Sequence, residues 1–434
     1  MRLGRACFPA ISPFGAHGPG RALCCQTVST SGASLDIPNG GDDRETKLLG
    51  IRALKMAAST HAYVRGNTAQ FYRWLAQSKF AKALPTGPAV WICGDCHLGN
   101  LGPIADSDGD IEIQIRDLDQ TVIGNPVHDL IRLGLSLATA ARGAKLPGVT
   151  TAHMIEQMVE GYDHALAQRH ESEDIEPNVV RAAKRRAWGR RWKHLAEERI
   201  ADVTPSIPLG KKFWPLASAE RTAIEALFAS DPIKSLIRQL DRRHARDRVK
   251  LVDAAYWVKG CSSLGNLRYA ALVAIGGSKR KPDEYALFDI KEAVPSVAPA
   301  APKARMPRDN GLRVVAGAEA LAPHLGSRMS ADHVLGRPIF VRELLPQDLK
   351  IELDQFSSGE AKKAARHLAY IVGHAHARQM DLATRGFWRA ALAERRGGTI
   401  EAPSWLWNSV VEQIGLHEAA YLEHCRRFAL STAA

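Results

Sequence analysis

Long apolar runs and regularly spaced cysteines are both missing from this sequence, and each shortage excludes a class of protein. No run of 18 apolar residues occurs in the 434 residues, which argues against a membrane-spanning segment. The seven cysteines lack the even, regular spacing of a disulfide-stapled secreted domain, so we expect a protein of the reducing cytoplasm. With 45% hydrophobic residues, the chain can build a large core without such crosslinks.

Acidic side chains are absent from the first 35 residues, which are rich in Gly, Ser, Pro and Arg. This composition predicts a disordered or transit-like tail over residues 1–44. The net charge of +12 favours anionic partners such as nucleotides, phosphorylated molecules, nucleic acid or acidic membrane surfaces. We interpret the basic run 181–193 as a solvated helix face with Trp188 and Trp192 packed inward. No nucleic-acid-binding signature accompanies the run, so we do not predict a nucleic-acid partner.

Helical spacing and short apolar runs alternate along the remaining chain and predict an α+β fold. Helical patterns cover residues 47–56, 68–84, 127–142, 151–170, 178–200, 218–246, 312–325, 358–379 and 404–428. Strand patterns cover residues 89–92, 111–115, 254–275, 285–291 and 338–343. The turn-rich stretch 105–110 predicts that the first two strands form a hairpin. We expect a helix-rich region over 45–245, a strand-bearing region over 246–350 and a C-terminal helical region over 351–434.

Residues suited to phosphate chemistry follow the first two predicted strands. Asp95 follows a strand and a glycine, and Asn100 lies at the distance that separates the base from the metal-binding Asn in kinase catalytic loops. Asp117 ends the second strand, where a hairpin would return it to Asn100, and Asp119 could share an ion with it. Carboxylate and amide oxygens are the ligands that Mg²⁺ prefers. The pattern therefore predicts a catalytic carboxylate beside a magnesium site, with a plain polar turn between buried strands as the alternative.

A glycine-rich turn in the second half would supply the phosphate-covering loop that such a site needs. Residues 260–266 read GCSSLGN between two strand patterns. Gly260 and Gly265 would let the backbone approach phosphates closely, and Ser262 and Ser263 would add hydroxyl donors. A glycine-rich turn by itself is also compatible with an ordinary hairpin.

Lys291 ends the next strand pattern, where the nucleotide-binding lysine of a kinase small lobe is found. Glu319 on the following helix is a candidate ion-pair partner, with Glu292 or no partner as alternatives. An exposed lysine at a strand end is the simpler explanation. Residues 339–344 would then form a hinge strand whose backbone meets adenine.

The segment 93–100 resembles the catalytic loop of aminoglycoside and choline kinase-like enzymes, which reads HGDxHxxN and is followed by DxE or DxD. By this resemblance Asp95 would be the catalytic base, Asn100 and Asp117 would bind Mg²⁺, and His97 would shape the loop. The cofactors implied are ATP and magnesium.

Two neighbouring positions refine the resemblance. A further Asp of the family braces the catalytic loop from the start of the next helix, and Asp129 stands at that place. Cys93 replaces the usual first His of the loop, so the hydrogen bonding there must differ.

Over most of residues 48–428 the sequence also resembles the bacterial domain-of-unknown-function 2252 family. The resemblance is carried by motifs at residues 63–66, 94–100, 116–119, 260–265, 291–293 and 374–378. The glycine-rich turn and the lysine follow the catalytic loop here, whereas they precede it in ordinary kinases. The resemblance therefore implies a kinase-like bilobal fold in circularly permuted order, with a helix-rich larger lobe and a small β-sheet lobe.

The activity expected from these features is transfer of a phosphoryl group from ATP to a hydroxyl of a small molecule or protein. A pseudokinase-like module that binds a nucleotide or partner without turnover is an alternative, and so is nucleotidyl transfer on the same scaffold. Neither the acceptor nor the oligomeric state follows from the residues.

Several residues admit other interpretations. The segment 93–97 reads CGDCH and satisfies the c-type haem attachment pattern, but haem attachment needs an exported context. Zinc is disfavoured because no second Cys or His pair stands at ligand spacing. His376 is expected to brace the core or the loop, and Arg378 to do the same or to contact a phosphate. Arg65 would form either a buried ion pair or a phosphate contact.

Overall fold

The structure is a computed structural model that describes residues 41–106, 108–169, 176–199, 206–240, 243–278, 281–349, 357–393 and 402–433. Within these residues the chain has the α+β composition predicted, with helices packed around antiparallel sheets. The predicted tail lies outside the described residues, except that residues 41–44 begin the first helix.

Helices make up most of the described chain. Those in the first 240 residues are α1 (Gly41–Ala57), α2 (Thr60–Gly66), α3 (Thr68–Gln77), α4 (Val127–Gly143), α5 (Gly148–Leu166), α6 (Asn178–Trp188), α7 (Trp192–Arg199), α8 (Ser218–Ala229) and α9 (Asp231–Gln239). Those in the remainder of the described chain are α10 (Asn310–Leu321), α11 (Pro323–Gly326), α12 (Ser358–Ala377), α13 (Leu382–Ala393) and α14 (Ser404–Ala433). Short 3₁₀ turns lie at Ala81–Ala83 and Leu98–Asn100.

The strands form one six-stranded sheet and two sheets of two strands each. They are β1 (Val90–Ile92), β2 (Leu101–Ala105), β3 (Ile111–Ile115), β4 (Val122–Gly124), β5 (Phe213–Trp214), β6 (Val249–Trp257), β7 (Arg268–Ser278), β8 (Lys281–Glu292), β9 (Met329–Val334) and β10 (Arg337–Leu344). The larger sheet has the order β5-β6-β7-β8-β10-β9, and all of its neighbours are antiparallel.

The predicted hairpin between residues 89–92 and 111–115 is wrong. β1 pairs with β4, and β3 pairs with β2. The strand β2 contains Gly102 and Pro103, residues that count against a strand in a sequence. The β2–β3 pairing nevertheless returns the chain to the loop at residues 94–100, because the backbone N–H of Arg116 donates to the carbonyl of Asn100 at 2.7 Å.

The larger sheet has one apolar face and one face that carries charge near the strand ends. Phe288, Ile290 and Val341 are fully buried in one cluster with apolar residues of α8 and α9. Because side chains alternate along a strand, Asp289 and Lys291 project from the opposite face of β8. The register places Arg268 of β7 across from Lys291. The sheet therefore presents a polar edge on the side away from α8 and α9.

The helical core surrounds α4, whose residues are buried from Val127 to Thr139. The neighbouring helices α5 and α12 approach each other closely, since a Cβ added at Gly161 of α5 would lie 2.1 Å from the carbonyl oxygen of Arg366 in α12. Beyond the end of α12, the Gln379 amide accepts from the N–H of Trp91 and donates to its carbonyl, at 2.7 and 3.1 Å. These two bonds fasten the end of α12 to β1.

The basic run 181–193 is split between α6 and α7, and its tryptophans differ. Trp192 packs against the cluster that contains Leu195, whereas Trp188 is 82% exposed. The prediction that both tryptophans pack inward is therefore wrong for Trp188, since the helix ends there and the chain turns away. None of the described helices is both long enough and apolar enough to cross a membrane.

Candidate active site

The loop after β1 is fixed by a glycine with unusual backbone geometry. Gly94 has φ of +74°, and a Cβ at this position would lie 2.1 Å from the carbonyl oxygen of Gln120. Only glycine fits such a close approach between two backbone segments. The segment before Asp95 is therefore pressed against the segment that follows Asp119.

Asp95 is buried directly after this glycine and pairs with an arginine of α4. The Nε of Arg132 donates to Asp95 Oδ1 at 2.9 Å, and the Arg132 side chain is fully buried. Arg132 also donates to the carbonyl of Val64 at 2.6 Å, which ties α2 to the loop. The carboxylate is thus held in one orientation at the wall of a cavity.

Burial raises the pKa of Asp95, although Arg132 and a hydrogen bond with Thr68 act in the opposite direction. A carboxylate whose pKa is raised is a stronger base than an exposed aspartate. The environment of Asp95 therefore suits acceptance of a proton from a hydroxyl group.

Asp129 lies at the start of α4, fully buried, and accepts hydrogen bonds from three donors. The backbone N–H groups of Cys93 and Gly94 donate to its two oxygens at 2.7 and 2.9 Å. The Nε2 of His376 lies 3.1 Å from Asp129 Oδ2, and the other ring nitrogen contacts the Tyr162 hydroxyl at 2.9 Å. Asp129 thus holds the loop through its backbone, and His376 in turn positions Asp129.

The Cys93 side chain contacts the second acidic segment. Its Sγ lies 3.6 Å from the carbonyl oxygen of Asp117, so the thiol joins the loop to the second acidic segment. Cys93 and Cys96 are both buried, and neither lines the cavities described below. Two enclosed thiols away from a cavity do not suit haem attachment.

Asn100 closes the loop with one end of its amide. Its Nδ2 donates to the carbonyl of Asp95 at 3.0 Å, which leaves the amide oxygen as the group that can serve another partner. Asn100 lines a cavity of about 150 Å³ together with Asp95, Asp117, Asp119 and Ser262. We refer to this space as the carboxylate cavity.

Lys291 reaches the same acidic segment from the end of β8. Its Nζ lies 3.3 Å from Asp117 Oδ1 and also forms an ion pair with Asp119 Oδ2. The Lys291 side chain is 4% exposed, whereas that of Asp117 is 45% exposed at the cavity wall. The structure therefore brings together two parts of the chain that lie more than 170 residues apart.

Glu319 and Glu292, the predicted partners of Lys291, do not pair with it. Glu319 is exposed on α10, off the stripe of this helix that contains the buried residues Val314 and Ala318. Glu292 follows Lys291 in β8 and therefore projects from the other face of the strand, where it pairs with Arg337 at 3.2 Å.

The pKa values of the two acidic side chains beside Lys291, Asp117 and Asp119, are shifted in opposite directions. Burial and the neighbouring Asp117 charge raise the pKa of Asp119 to about 7. Burial also acts to raise the pKa of Asp117, but the charge of Lys291 and a hydrogen bond from Asp119 outweigh it, so the Asp117 pKa lies well below its usual range. Like charges at short distance produce this division, because the pair cannot ionise as two independent carboxyls.

The donors in this corner fit a magnesium ion. Asn100, Asp117 and Asp119 offer only oxygen ligands, the type that Mg²⁺ prefers. Asp119 Oδ1 is buried and has no hydrogen-bond partner, an arrangement that is costly unless another group uses the oxygen. Among the described residues no group of three His, Cys, Asp or Glu side chains could hold a metal, so the amide of Asn100 is needed to complete a set.

Arg313 of α10 shapes the acidic segment, and it belongs to no motif recognised in the sequence. Its guanidinium donates to the carbonyls of Asp119 at 3.2 Å, of Val294 at 2.8 Å and of Thr121. The helix after β8 thus contacts the site through a cation on backbone carbonyls and not through Glu319.

The glycine-rich turn between β6 and β7 faces the catalytic loop across a second cavity of about 360 Å³. Gly260 has φ of +89°, and its carbonyl accepts from Lys55 Nζ of α1 at 2.8 Å. Ser262 and Ser263 line this space, whereas Gly265 lies in the turn with φ of +107° and does not line it. We refer to the space as the basic cavity.

Cationic side chains dominate the walls of the basic cavity. Its described lining includes Lys55, Arg65, Arg116, Lys259, Arg268 and Arg342. The acidic group in the same lining is Asp117. The cavity is therefore an electropositive space that ends at the carboxylate cavity, with which it shares Asn100, Asp117 and Ser262.

Asp289 holds several of these cations in place from behind the cavity. Arg268 binds it through two bonds of 2.9 and 2.6 Å, Arg342 lies 3.2 Å from it, and Lys259 lies 3.8 Å away. Burial opposes ionisation of Asp289, but these cations keep its pKa well below the usual range. The Trp257 ring packs beneath both Lys259 and Arg268. Lys259 Nζ lies 3.9 Å and Arg268 Cζ lies 5.5 Å from the centroid of the ring.

Arg65 and His97 form the side of the basic cavity next to the catalytic loop. The guanidinium of Arg65 lies against Gly99, and its Nε is buried without a hydrogen-bond partner. His97 Nε2 lies 4.0 Å from Asp95 Oδ2. Burial, followed by the charges of Arg65 and Arg132, lowers the His97 pKa well below its ordinary value. His97 is therefore neutral, and among the residues that the structure describes Arg65 forms no ion pair.

Arg378 lines neither the carboxylate cavity nor the basic cavity. Its Nη2 donates to the carbonyl of Leu321 at 3.2 Å, which ties α12 to the end of α10. It lines a separate cavity of about 600 Å³ that also contains His367 and Tyr370. The Arg378 side chain leaves α12 on a different side from His376, so a phosphate in either the carboxylate cavity or the basic cavity would lie away from it.

Two residues of the site, Arg132 and Asp289, are recognisable in the sequence as charged residues within apolar segments. Arg132 is a charged residue within an apolar stretch of α4, and such a residue is buried only when it is paired. Asp289 is likewise an acidic residue in the middle of an apolar strand. The partners of both, Asp95 and Arg268, depend on tertiary contacts that spacing along the chain does not reveal.

The comparisons with known proteins give a family but no characterised relative. No curated protein and no solved structure matches this chain. Residues 44–427 match the family described as "Uncharacterized protein conserved in bacteria (DUF2252)". The match spans nearly the whole described chain, and the protein therefore belongs to the DUF2252 family.

Proposed function

We propose that this protein is a kinase-like phosphotransferase that moves a phosphoryl group from ATP to a hydroxyl of a small molecule or protein. The observation that carries the proposal is the convergence of Lys291 with Asp117 and Asp119 beside Asp95 and Asn100. Phosphoryl transfer needs a base, a metal site and a cation on the phosphates, and this corner of the molecule has candidates for each.

Asp95 is the proposed base. Its raised pKa and its fixed orientation on Arg132 suit acceptance of the acceptor's hydroxyl proton. The hydroxyl oxygen then forms a bond to the terminal phosphorus, the bond to the bridging oxygen breaks, and the nucleoside diphosphate leaves. The proton rests on Asp95 until the product departs.

Asn100, Asp117 and Asp119 are the residues that would hold Mg²⁺. When bound, the ion would neutralise the charge of the phosphates. Lys291 would move from the two aspartates to the phosphates, and the main-chain N–H groups of the turn at residues 260–265 would approach the same oxygens from above. The basic cavity provides the positive surroundings for this arrangement.

A circularly permuted kinase-like fold accounts for the order of the motifs. The glycine-rich turn joins β6 to β7, Lys291 ends β8, and α10 follows, which is the order of these parts in a kinase small lobe. The end of α12 is bonded to Trp91 of β1 although the two are far apart in sequence. This contact supports a permuted order. The segment that precedes the catalytic loop in ordinary kinases would follow that loop in this chain.

The proposal is tested with the full-length protein, Mg-ATP and a library of hydroxyl-bearing metabolites and proteins. We expect a product that is heavier by one phosphate, and we expect Asp95→Asn to reduce its formation by about a thousandfold or more while ATP affinity changes little. The Asn variant keeps the shape of the side chain and removes its basicity.

Three outcomes contradict the proposal in different ways. ATP binding without turnover in the wild-type protein would favour the pseudokinase-like alternative. A product heavier by one nucleotide would favour nucleotidyl transfer. Unchanged turnover in Asp95→Asn would show that Asp95 is not the base.

A further inference from the structure

The backbone of β10, the strand expected to contact a nucleotide base, is largely hydrogen-bonded within the sheet. β10 is an interior strand, and residues 339–342 are paired with β8 on one side and with β9 on the other. Backbone groups that are bonded on both sides of a strand cannot also read the edge of a base. The prediction that adenine meets the backbone of residues 339–344 therefore fails over most of this range.

The turn after β10 is also committed to internal contacts. Its carbonyls accept bonds from within the protein: Glu343 from Arg328, Pro346 from Arg190 and Asp348 from Arg116, at 3.0, 2.6 and 3.1 Å. The N–H of Leu345 donates to the Asp348 side chain at 3.3 Å, and the Leu345 carbonyl accepts from the Asp348 N–H. These described groups are not available to recognise a base.

The cavity that the described residues form beside this turn is too small for a base. The cavity between Ile104, Leu195, Leu344 and Leu345 has a volume of about 20 Å³. A cavity of about 10–15 Å³ holds one water molecule, so a two-ring base does not fit. Arg342 and Arg116 separate this space from the basic cavity, since Arg342 Nη1 donates to the Arg116 carbonyl at 2.9 Å.

The basic cavity differs in both size and charge. Its volume of about 360 Å³ is that of a small-ligand site, and its described lining carries six cationic side chains. Arginine and lysine side chains bind phosphate oxygens regardless of what the phosphates are attached to. The described side chains that line this cavity are therefore suited to phosphate and not to a base.

We propose that the site selects its donor through the polyphosphate chain alone, so that inorganic tripolyphosphate binds as ATP does. This inference rests on the proposed function, because it concerns the donor of the same site. In transfer from tripolyphosphate, the acceptor oxygen bonds to the terminal phosphorus, the bridging P–O bond breaks, pyrophosphate leaves and Asp95 takes the hydroxyl proton. The base of ATP or GTP would extend out of the basic cavity.

The test measures binding of Mg-ATP, Mg-GTP and Mg-tripolyphosphate to the full-length protein by calorimetry at one ionic strength. We expect the three dissociation constants to agree within about tenfold, or about 1.4 kcal/mol. All three affinities should decrease together as the salt concentration is raised, because exposed charge pairs are screened. An affinity for ATP that exceeds those for GTP and tripolyphosphate by more than about tenfold would overturn the proposal.

Arg65→Gln tests the role of the cavity's charge. In the described part of the chain no acidic side chain pairs with Arg65, and its guanidinium lies against Gly99 at the cavity wall. We expect the variant to weaken ATP and tripolyphosphate by the same factor of about ten, the effect of one charge-assisted hydrogen bond. The matched control is Arg73→Gln, an exposed arginine bonded to Gln70, which should leave both affinities unchanged.

A loss of affinity for ATP alone in Arg65→Gln, or no loss for either ligand, would overturn the proposal. If Arg65→Gln fails to fold, Lys259→Gln supplies the same comparison from the sheet side of the cavity. Transfer that ATP supports and tripolyphosphate does not, and that Asp95→Asn abolishes, would keep the proposed function and reject this inference. Equal binding of the three ligands without transfer would reject the proposed function and keep the inference.

Discussion

Asp129 is a charged residue that accepts hydrogen bonds from the backbone of another segment. Its carboxylate accepts the N–H groups of Cys93 and Gly94 and the ring nitrogen of His376, and none of its surface is exposed. A buried carboxylate is tolerated only when its oxygens are satisfied in this way. The position of the catalytic loop is therefore determined by a residue that does not line either cavity.

We predict that Asp129→Ala destabilises the protein by about 3 kcal/mol, since it leaves two buried N–H groups and a histidine without their partner. Urea unfolding of the variant measures this change. The control is Asp43→Ala, which removes an exposed pair with Lys47 at 2.9 Å and should cost less than about 0.5 kcal/mol. Equal losses in the two variants would contradict the structural role of Asp129.

At the scale of elements, the α5–α12 pair sets the position of His376. Gly161 allows the Arg366 carbonyl to approach within 2.1 Å of the place where a Cβ would stand. Gly373 of α12 meets Tyr162 of α5 in the same manner, with a Cβ position 3.0 Å from the Tyr162 ring. The two helices therefore approach each other at a pair of glycines, and the next turn of α12 carries the histidine that contacts Asp129.

We predict that Gly161→Ala destabilises the protein by about 2 kcal/mol or more, because the added methyl group meets backbone and the helices must separate. The matched control is Gly50→Ala in the middle of α1, where no atom lies within 4 Å of the new Cβ. That control should stabilise the protein by up to about 1 kcal/mol, since alanine is the better helix former. Thermal unfolding of the two variants measures the difference, and a stabilised Gly161→Ala protein would refute the close packing.

The elements divide into those that the sequence predicts and those that it does not. Helices with strong periodicity, such as α4 and α12, are found within a few residues of the predicted limits. β9 was not predicted because its sequence, MSADHV, contains polar residues and no sustained apolar alternation. The breaks between α6 and α7 and between α8 and α9 were also missed, since periodicity continues across a short interruption.

The candidate site divides in the same way. The motif at residues 94–100, Asp117 and Lys291 carry recognisable spacing and strand context, and the structure brings them together. Arg313 and Arg342 contact the site only through the packing of α10 and the register of β10, which no local pattern encodes. The wrong partner for Lys291 has the same origin, since the rotation of α10 about its axis decides which of its side chains reaches the site.

At the scale of the whole molecule, buried histidines make stability depend on pH. Burial lowers the pKa of His61, His128 and His367 to about 4 and that of His417 to about 3. In the unfolded chain the same groups titrate near 6.5. Between these values the unfolded chain binds more protons than the folded protein, so stability is complete above about 6.5 and is lost as the pH falls.

We predict that the free energy of unfolding decreases steeply between pH 6.5 and pH 4, with each such histidine contributing up to about 1.4 kcal/mol per pH unit. Urea titrations at a series of pH values measure the slope. His417→Leu removes a buried ring whose Nε2 has no partner, and should make the slope shallower. His153→Leu, at a half-exposed histidine, is the control. An identical slope in both variants would show that buried histidines do not govern it.

The ring of Trp257 makes binding in the basic cavity observable by tryptophan fluorescence. Lys259 and Arg268 lie over this ring and also line the cavity, so an anion that draws either cation away changes the electric field at the indole. Indole emission responds to such a change in its surroundings. Occupancy of the cavity can therefore be followed from the protein's own fluorescence, with Trp257→Phe as the silent reference, and without a label on either the protein or the ligand.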